Sequence, residues 1–427
     1  MDTFLDFILL RDPNVWFVVI GGLFIHTSTA VVGTFAFLRK RSLLGDGIAH
    51  SLLPGVCLGF MASGEKNLIF LLGGAFLTGW TSTILVDYIV NKSKIKQDTA
   101  IAIVLSTFFG LGIVLLTIIQ RGNFGNHSGL DHFLFGQAAA ISRTDVYVFG
   151  VLAAIILIPI FLFFKSFSIL SFNPDYAKSV GMPVRFMEML MTSLTVLAIA
   201  AGIQALGVVL VSALVFTPAA AARFWTNKLP KMIILAALMA VISGIFGAYI
   251  SYQYAGMPTG PWIVIGLFVA TFFSFLFAPE RGFLKRFKNR RGTSIKIRDE
   301  NVLKAIFQYN EKNGGHDKLN LKLSASDFLT IREFQTNTLM KGLKSLIGQG
   351  YVNHLDDKYY LTESGKKESK RIVRLHRLWE QYLLKRTSID TDHVHSGAEA
   401  IEHILTPEIE AELTKELGID GVPKEDY

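Results

Sequence analysis

Apolar residues run in unbroken blocks along the chain as far as Ala278, and beyond it they recur at helical spacing among charges. The blocks match the roughly 20 apolar residues that a bilayer crossing requires. They predict nine membrane spans, at 15–38, 44–62, 67–91, 98–119, 145–164, 186–202, 203–222, 231–253 and 260–278. The stretch 186–222 is continuous and reads equally as one helix followed by a broken one. Small residues crowd these blocks, as in Gly73-Gly74 and Ala219 to Ala222, and small side chains let helices approach closely within lipid. The expected fold is therefore a polytopic α-helical bundle.

From Asp299 the pattern changes. Glu300 to Lys312 forms an amphipathic period with Val302, Leu303, Ile306 and Phe307 on one face. Helices follow near 324–334 and 336–347. Tyr351 to Leu361 reads as two short strands around Asp356-Asp357-Lys358, and Glu363 to Lys385 as a long basic helix. Three helices and a hairpin are the order of a winged helix-turn-helix. The chain thus divides into a membrane region 1–280, a basic linker 281–298, a winged-helix-like domain 299–361 and a helical region 362–427.

Charge orients the bundle. Arg281 to Arg298 holds eight Lys or Arg and no acid, within a net charge of +8. Following a span directly, it suits a cytoplasmic collar against anionic lipid better than a nucleic-acid site. Arg39 to Arg41, Lys92 to Lys96 and Arg223 to Lys231 fall on the same side if there are nine spans, with the N-terminus outside and the C-terminus inside. The only cysteine, Cys57, excludes a disulfide framework and a thiolate zinc cluster. No basic, apolar and small-residue succession opens the chain, so no cleaved signal peptide is expected. No GxxxxGK[ST] motif, G-x-S-x-G, HExxH or Rossmann fingerprint occurs, so ATP-driven work requires another subunit.

The candidate chemistry centres on Leu43 to Phe60, LLGDGIAHSLLPGVCLGF. Asp46 and His50 lie four residues apart, on one helix face at about 3.6 residues per turn. A carboxylate inside a span points to a pathway, whereas a solvated helix end is the plainer alternative. His26, in the first span, either joins such a path or bonds a neighbouring helix. Pro218 breaks a helix and frees carbonyls. His127, Asp131 and His132 lie in the 120–144 segment, either a metal-catching external loop or a polar connection. Phe172 to Met187 is a polar cytoplasmic segment whose Asn173-Pro174-Asp175 starts a short helix and Gly181 stops it, suiting a partner or an idle connector.

Together with FNPDYAKSVGMPVRF and IQALGVVLVSALVFTPAAAARFW, the Leu43 stretch resembles the permease family of bacterial ABC importers for manganese, zinc and iron, over residues 10–280. The resemblance implies that Asp46 and His50, ahead of Leu53-Pro54-Gly55, line the route and contact the ion. It implies that Phe172 to Met187 is gripped by a cytoplasmic ATPase. It also implies a second permease subunit, two ATPase subunits and an extracytoplasmic metal-binding protein, in a bacterial inner membrane. A mixed carboxylate and imidazole pair suits Mn²⁺, Fe²⁺ or Zn²⁺.

YYLTESGKKESKRIVRLHRLWEQYL, followed by SGAEAIEHIL, resembles the diphtheria-toxin repressor family of metal-dependent regulators, over residues 299–415. The resemblance implies a regulatory metal held by His376, Glu399, Glu402 and His403, and a dimerising surface. It departs where Asn301 and Lys304 stand at two ligand positions of the first helix, since a charged Lys ligates nothing. Asp356 and Asp357 at the wing tip would repel phosphate, so no specific nucleic acid is expected. The reading is a permease subunit, not an enzyme, for an ATP-driven importer of manganese with a metal-sensing or dimerising tail. Its rivals are a zinc or iron importer, a membrane-tethered metal-responsive transcription regulator, and an ion-coupled transporter without an ATPase.

Overall fold

The computed structural model describes residues 12–40, 42–65, 67–122, 141–254, 256–314, 319–332, 334–386 and 407–418, with residues 6, 7, 9 and 136 besides. The chain divides into two compact units, 1–285 and 286–427.

The first unit is helical throughout its described residues. Helix α1 (Pro13–Leu38) starts where the Asp12 carboxylate accepts a hydrogen bond from the Asn14 N–H, 2.8 Å away, with Pro13 at the first helical position. It ends at Arg39, beside Lys40 at φ 58°. Helices α2 (Ser42–Ser51) and α3 (Leu53–Ser63) make one span interrupted at Leu52, just before Pro54. Then come α4 (Leu68–Lys92), α5 (Gln97–Arg121) and α6 (Arg143–Leu162). Two short helices, α7 (Phe164–Phe172) and α8 (Pro174–Ser179), lead into α9 (Val184–Leu206). The unit closes with α10 (Val211–Trp225), α11 (Leu229–Gln253) and α12 (Thr259–Phe277).

Eight stretches among the described residues are long and apolar enough to span a membrane, and α10 is shorter. The span expected at 203–222 is the one that differs. Its first residues extend α9 to Leu206, Gly207 turns the chain at φ 83°, and α10 begins only at Val211. A run so largely apolar carries no period that places such a break; glycine supplies the positive φ.

Backbones rather than side chains set the closest approach where α3 crosses α4. A Cβ added to Gly55 in α3 would stand 2.1 Å from the Gly74 carbonyl oxygen in α4, and the reverse substitution meets the Gly55 oxygen at 2.1 Å. Buried Ile48, Leu52, Val56 and Phe60 continue the seam against Leu71 and Ala75.

The second unit begins with most of α13 (Phe283–Gly314), which carries both the basic run and the amphipathic stretch expected at 300–312. Strand β1 (Leu323–Ser324), α14 (Ala325–Ile331), α15 (Thr336–Gly348), β2 (Val352–Leu355), β3 (Lys358–Leu361), α16 (Glu363–Arg386) and α17 (Pro407–Leu417) follow. The strands form an antiparallel sheet in the order β1-β3-β2, with Val352 opposite Leu361 and Leu355 opposite Lys358. Asp356 and Asp357 turn the hairpin at φ 52° and 56°, the positive pair that a two-residue connection favours. Val302, Ile306, Phe307, Phe328, Leu343 and Leu361 fill one core. At the start of α14 the Ser324 hydroxyl and N–H both donate to Asp327, holding its carboxyl below the usual range.

Candidate functional site

Helix α2 shows why Asp46 and His50 share a stripe. Its other faces are packed: a Cβ on Gly45 would lie 2.1 Å from the Phe216 ring of α10, and one on Gly47 would lie 2.7 Å from Ile101 of α5. Ile48, Ala49 and Leu52 are buried as well. What remains open is the stripe of Leu43, Asp46 and His50, with Leu43 53% exposed, the Asp46 side chain 49% and that of His50 20%. Asp46 Oδ1 and His50 Nε2 stand 4.0 Å apart, beyond hydrogen-bond reach, so both keep lone pairs for a third group. The His50 ring meets the edge of Phe109 at 5.0 Å between centroids, which fixes its plane. Among the described residues no three His, Cys, Asp or Glu side chains converge on one point. Within this chain the candidate site is a pair of side chains, Asp46 and His50.

His26 is buried elsewhere in the unit and neither reaches this stripe nor bonds a neighbouring helix. Its ring fills a notch over Gly22 and Gly244, where a Cβ on Gly244 would stand 2.1 Å from the ring, and Nδ1 has no hydrogen-bond partner among the described residues. Pro218 lies inside α10, buried. His127, Asp131 and His132 lie outside the described residues.

The segment ahead of α9 is a built surface. Asn173 caps α8 by accepting from the Tyr176 N–H at 3.0 Å, Pro174 holds the first position, and Gly181 at φ 75° reverses the chain. Ala177 is buried, while Phe172, Asp175, Tyr176 and Val180 are exposed. A capped turn that shows aromatic, aliphatic and acidic side chains together suits a protein partner.

In the tail, His376 is almost fully buried and its Nε2 lies 2.9 Å from Glu380 Oε1. The sequence reading missed Glu380, although its i, i+4 spacing from His376 repeats that of Asp46 and His50 and was there to be seen. Beside this pair Arg377 forks onto Glu311 of α13, at 3.0 and 2.6 Å. Asn301 receives a hydrogen bond from Arg332 at 3.3 Å, and Lys304 is buried at 2% exposure. The first tail helix therefore offers an amide already bonded and a cation, which suits no divalent metal. Glu399, Glu402 and His403 lie outside the described residues. Among the described residues of the tail, His376 is paired with Glu380.

Two family models match the chain. The ABC 3 transport family covers residues 12–278, and the iron dependent repressor, metal binding and dimerisation domain covers residues 362–424. The manganese transport system membrane protein MntC of Bacillus subtilis is 39% identical over 380 residues, 88% of this chain and 85% of that protein. The zinc transport system membrane protein TroC of Treponema pallidum is 38% identical over 287 residues, 67% of this chain and 96% of that one. Among solved structures, PsaBC from Streptococcus pneumoniae in complex with Fab aligns with a TM-score of 0.60 and 33% identity, over 66% of this chain and 99% of that chain.

Proposed function

The chain belongs to the ABC 3 transport family, and from that premise we propose that manganese is the ion it carries. It is the membrane permease of a divalent-metal ABC importer, not itself catalytic, with a tail that matches a metal-binding and dimerisation domain. The observation that carries the proposal is the Asp46 and His50 pair of α2, a carboxylate and an imidazole on the helix's open stripe. Oxygen and nitrogen donors without sulfur suit Mn²⁺, Fe²⁺ and Zn²⁺ alike. Two ligands per subunit, doubled across a permease dimer, hold an ion yet release it, as a transit site must. Relatives named for manganese transport, from Bacillus subtilis and Listeria monocytogenes, support that choice of cargo.

In this reading an extracytoplasmic protein delivers the ion, Asp46 and His50 exchange its water ligands for their own, and the surface from Phe172 to Met187 receives the ATPase. The tail dimerises or senses imported metal through His376 with Glu399, Glu402 and His403, and metal shifts the permease only by its differential affinity for two states. Uptake into vesicles holding the assembled importer tests the cargo. Mn²⁺ uptake is expected to fall by about 100-fold in Asp46→Ala and in His50→Ala. Retention of uptake in both variants sinks the site. A second reading, zinc as cargo, is favoured by the likeness to the zinc transport protein TroC; preferential uptake of Zn²⁺ from an equimolar mixture would select it. Loss of inhibition by Mn²⁺ trapped at the cytoplasmic face in Glu402→Ala would establish the sensing role, and unchanged inhibition would remove it.

A further inference from the structure

The turn that ends α1 sends one side chain across the bundle. Arg39 donates through Nη2 to the Glu188 carboxylate and through Nη1 to Met191 Sδ at 3.6 Å, both on the first turns of α9. The Arg39 side chain is 10% exposed and that of Glu188 39%, and a charge-assisted bond between them is directional. Each end of the pair leads to a functional element within a few residues. On one side, α9 starts directly after the reversal at Gly181 and Pro183 that ends the ATPase-facing segment. On the other, Arg39 and Lys40 close α1 immediately before α2, whose first turns carry Asp46. A small cavity separates the two elements, lined by Arg39, Leu44, Gly45, Met191 and Phe216. Leu44 and Gly45 directly precede Asp46, so the start of α2 borders the same small cavity as Arg39 and Met191.

We propose that Arg39 and Glu188 form the latch through which movement of the ATPase-facing segment is passed to the helix that carries Asp46 and His50. They are positioning residues: neither touches the ion, and their pairing sets where α2 begins relative to α9. The inference rests on the reading of Phe172 to Met187 as the ATPase surface. It deepens that reading by naming the path from nucleotide hydrolysis to the metal ligands. Pulling the start of α9 draws Arg39 with it, and Arg39 draws the turn that feeds α2.

The test uses the assembled importer in vesicles, with Mn²⁺ uptake and ATP hydrolysis measured on the same preparation. Glu188→Gln keeps shape and removes charge; it is expected to lower Mn²⁺ carried per ATP by about tenfold while the ATPase still copurifies and hydrolyses. The exchanged pair, Arg39→Glu with Glu188→Arg, is expected to restore the ratio to within about threefold, the interaction signature of a double-mutant cycle. An unchanged ratio in Glu188→Gln overturns the proposal. Loss of ATPase copurification in Glu188→Gln also overturns it, because the pair would then serve assembly alone. Failure of the exchanged pair to recover the ratio, with the ATPase bound, counts against a direct latch in the same way. Asp175→Arg is the separate control for the underlying reading: an ATPase that binds this variant normally refutes the docking surface, whatever the latch does.

Discussion

The two units bury large aromatics alike, Phe35, Phe60, Phe149 and Phe167 in the bundle and Phe307 and Phe328 in the tail. They differ in what the bundle adds, helix crossings such as that of Gly55 and Gly74 where two backbones meet. The difference follows from the solvent. Water expels a phenylalanine from its company, whereas lipid tails do not, so helices in lipid adhere by van der Waals fit and by bonds between backbones. Polar groups are handled alike: hydroxyls of the bundle such as Ser51 and Thr83 return to carbonyls of their own helices, and the largely buried arginines, Arg39 of the bundle and Arg377 of the tail, each reach a glutamate of another helix.

Substitutions that respect one rule and violate the other sharpen this contrast. The largest effect is expected from Phe328→Ala, which should destabilise the tail by about 3–5 kcal/mol through lost burial and a cavity. Hydrogen exchange on the full chain would detect it in β1, β3 and α14 and leave α1 to α12 protected. Exchange that rises equally in both units would break the contrast. Next comes Gly55→Leu, expected to destabilise the bundle by about 1–3 kcal/mol through overpacking. Gly73→Leu serves as its partner experiment, because a Cβ at Gly73 meets nothing within 4 Å; equal losses of folded permease in the two variants would show that the crossing is not backbone-limited. The smallest effect belongs to Asp327→Asn, about 1 kcal/mol at neutral pH from the weakened cap of α14. Its sign with pH is fixed, since the folded carboxyl titrates below its unfolded value. The stabilisation is complete above an ordinary aspartate pKa of about 3.9 and disappears as pH falls through the lower folded value. The two proteins should therefore converge in stability in acid, and a gap that persists there would assign the effect to shape and not to charge.

The bundle was legible because spans announce themselves by length alone. The span expected at 67–91 is Leu68–Lys92, and that expected at 260–278 is Thr259–Phe277. Asp46 and His50 were legible because helical spacing places them together before any tertiary contact forms. A broken helix within 186–222 was open as an alternative, but its place at Gly207 was not legible, as a backbone angle distinguishes it. Neither was the bond between Arg39 and Glu188, whose partners lie 149 residues apart in sequence. Each alone reads as one more charge at a cytoplasmic helix end, and their meeting is a property of the folded bundle. Lys304 was recognised as a poor ligand from its charge; that its side chain lies inside the tail is visible only in three dimensions.

The Gly55 and Gly74 crossing also fixes how each half responds to temperature. A contact made inside lipid hides no hydrated surface, so breaking it changes the heat capacity little. Opening the tail exposes apolar side chains to water, at about 12–15 cal/mol/K per residue. The tail alone therefore has a strongly domed stability curve and loses strength on cooling below its maximum. Calorimetry of the whole chain should return nearly all of its heat-capacity increment from one third of its residues, and cold should loosen the tail while the bundle holds.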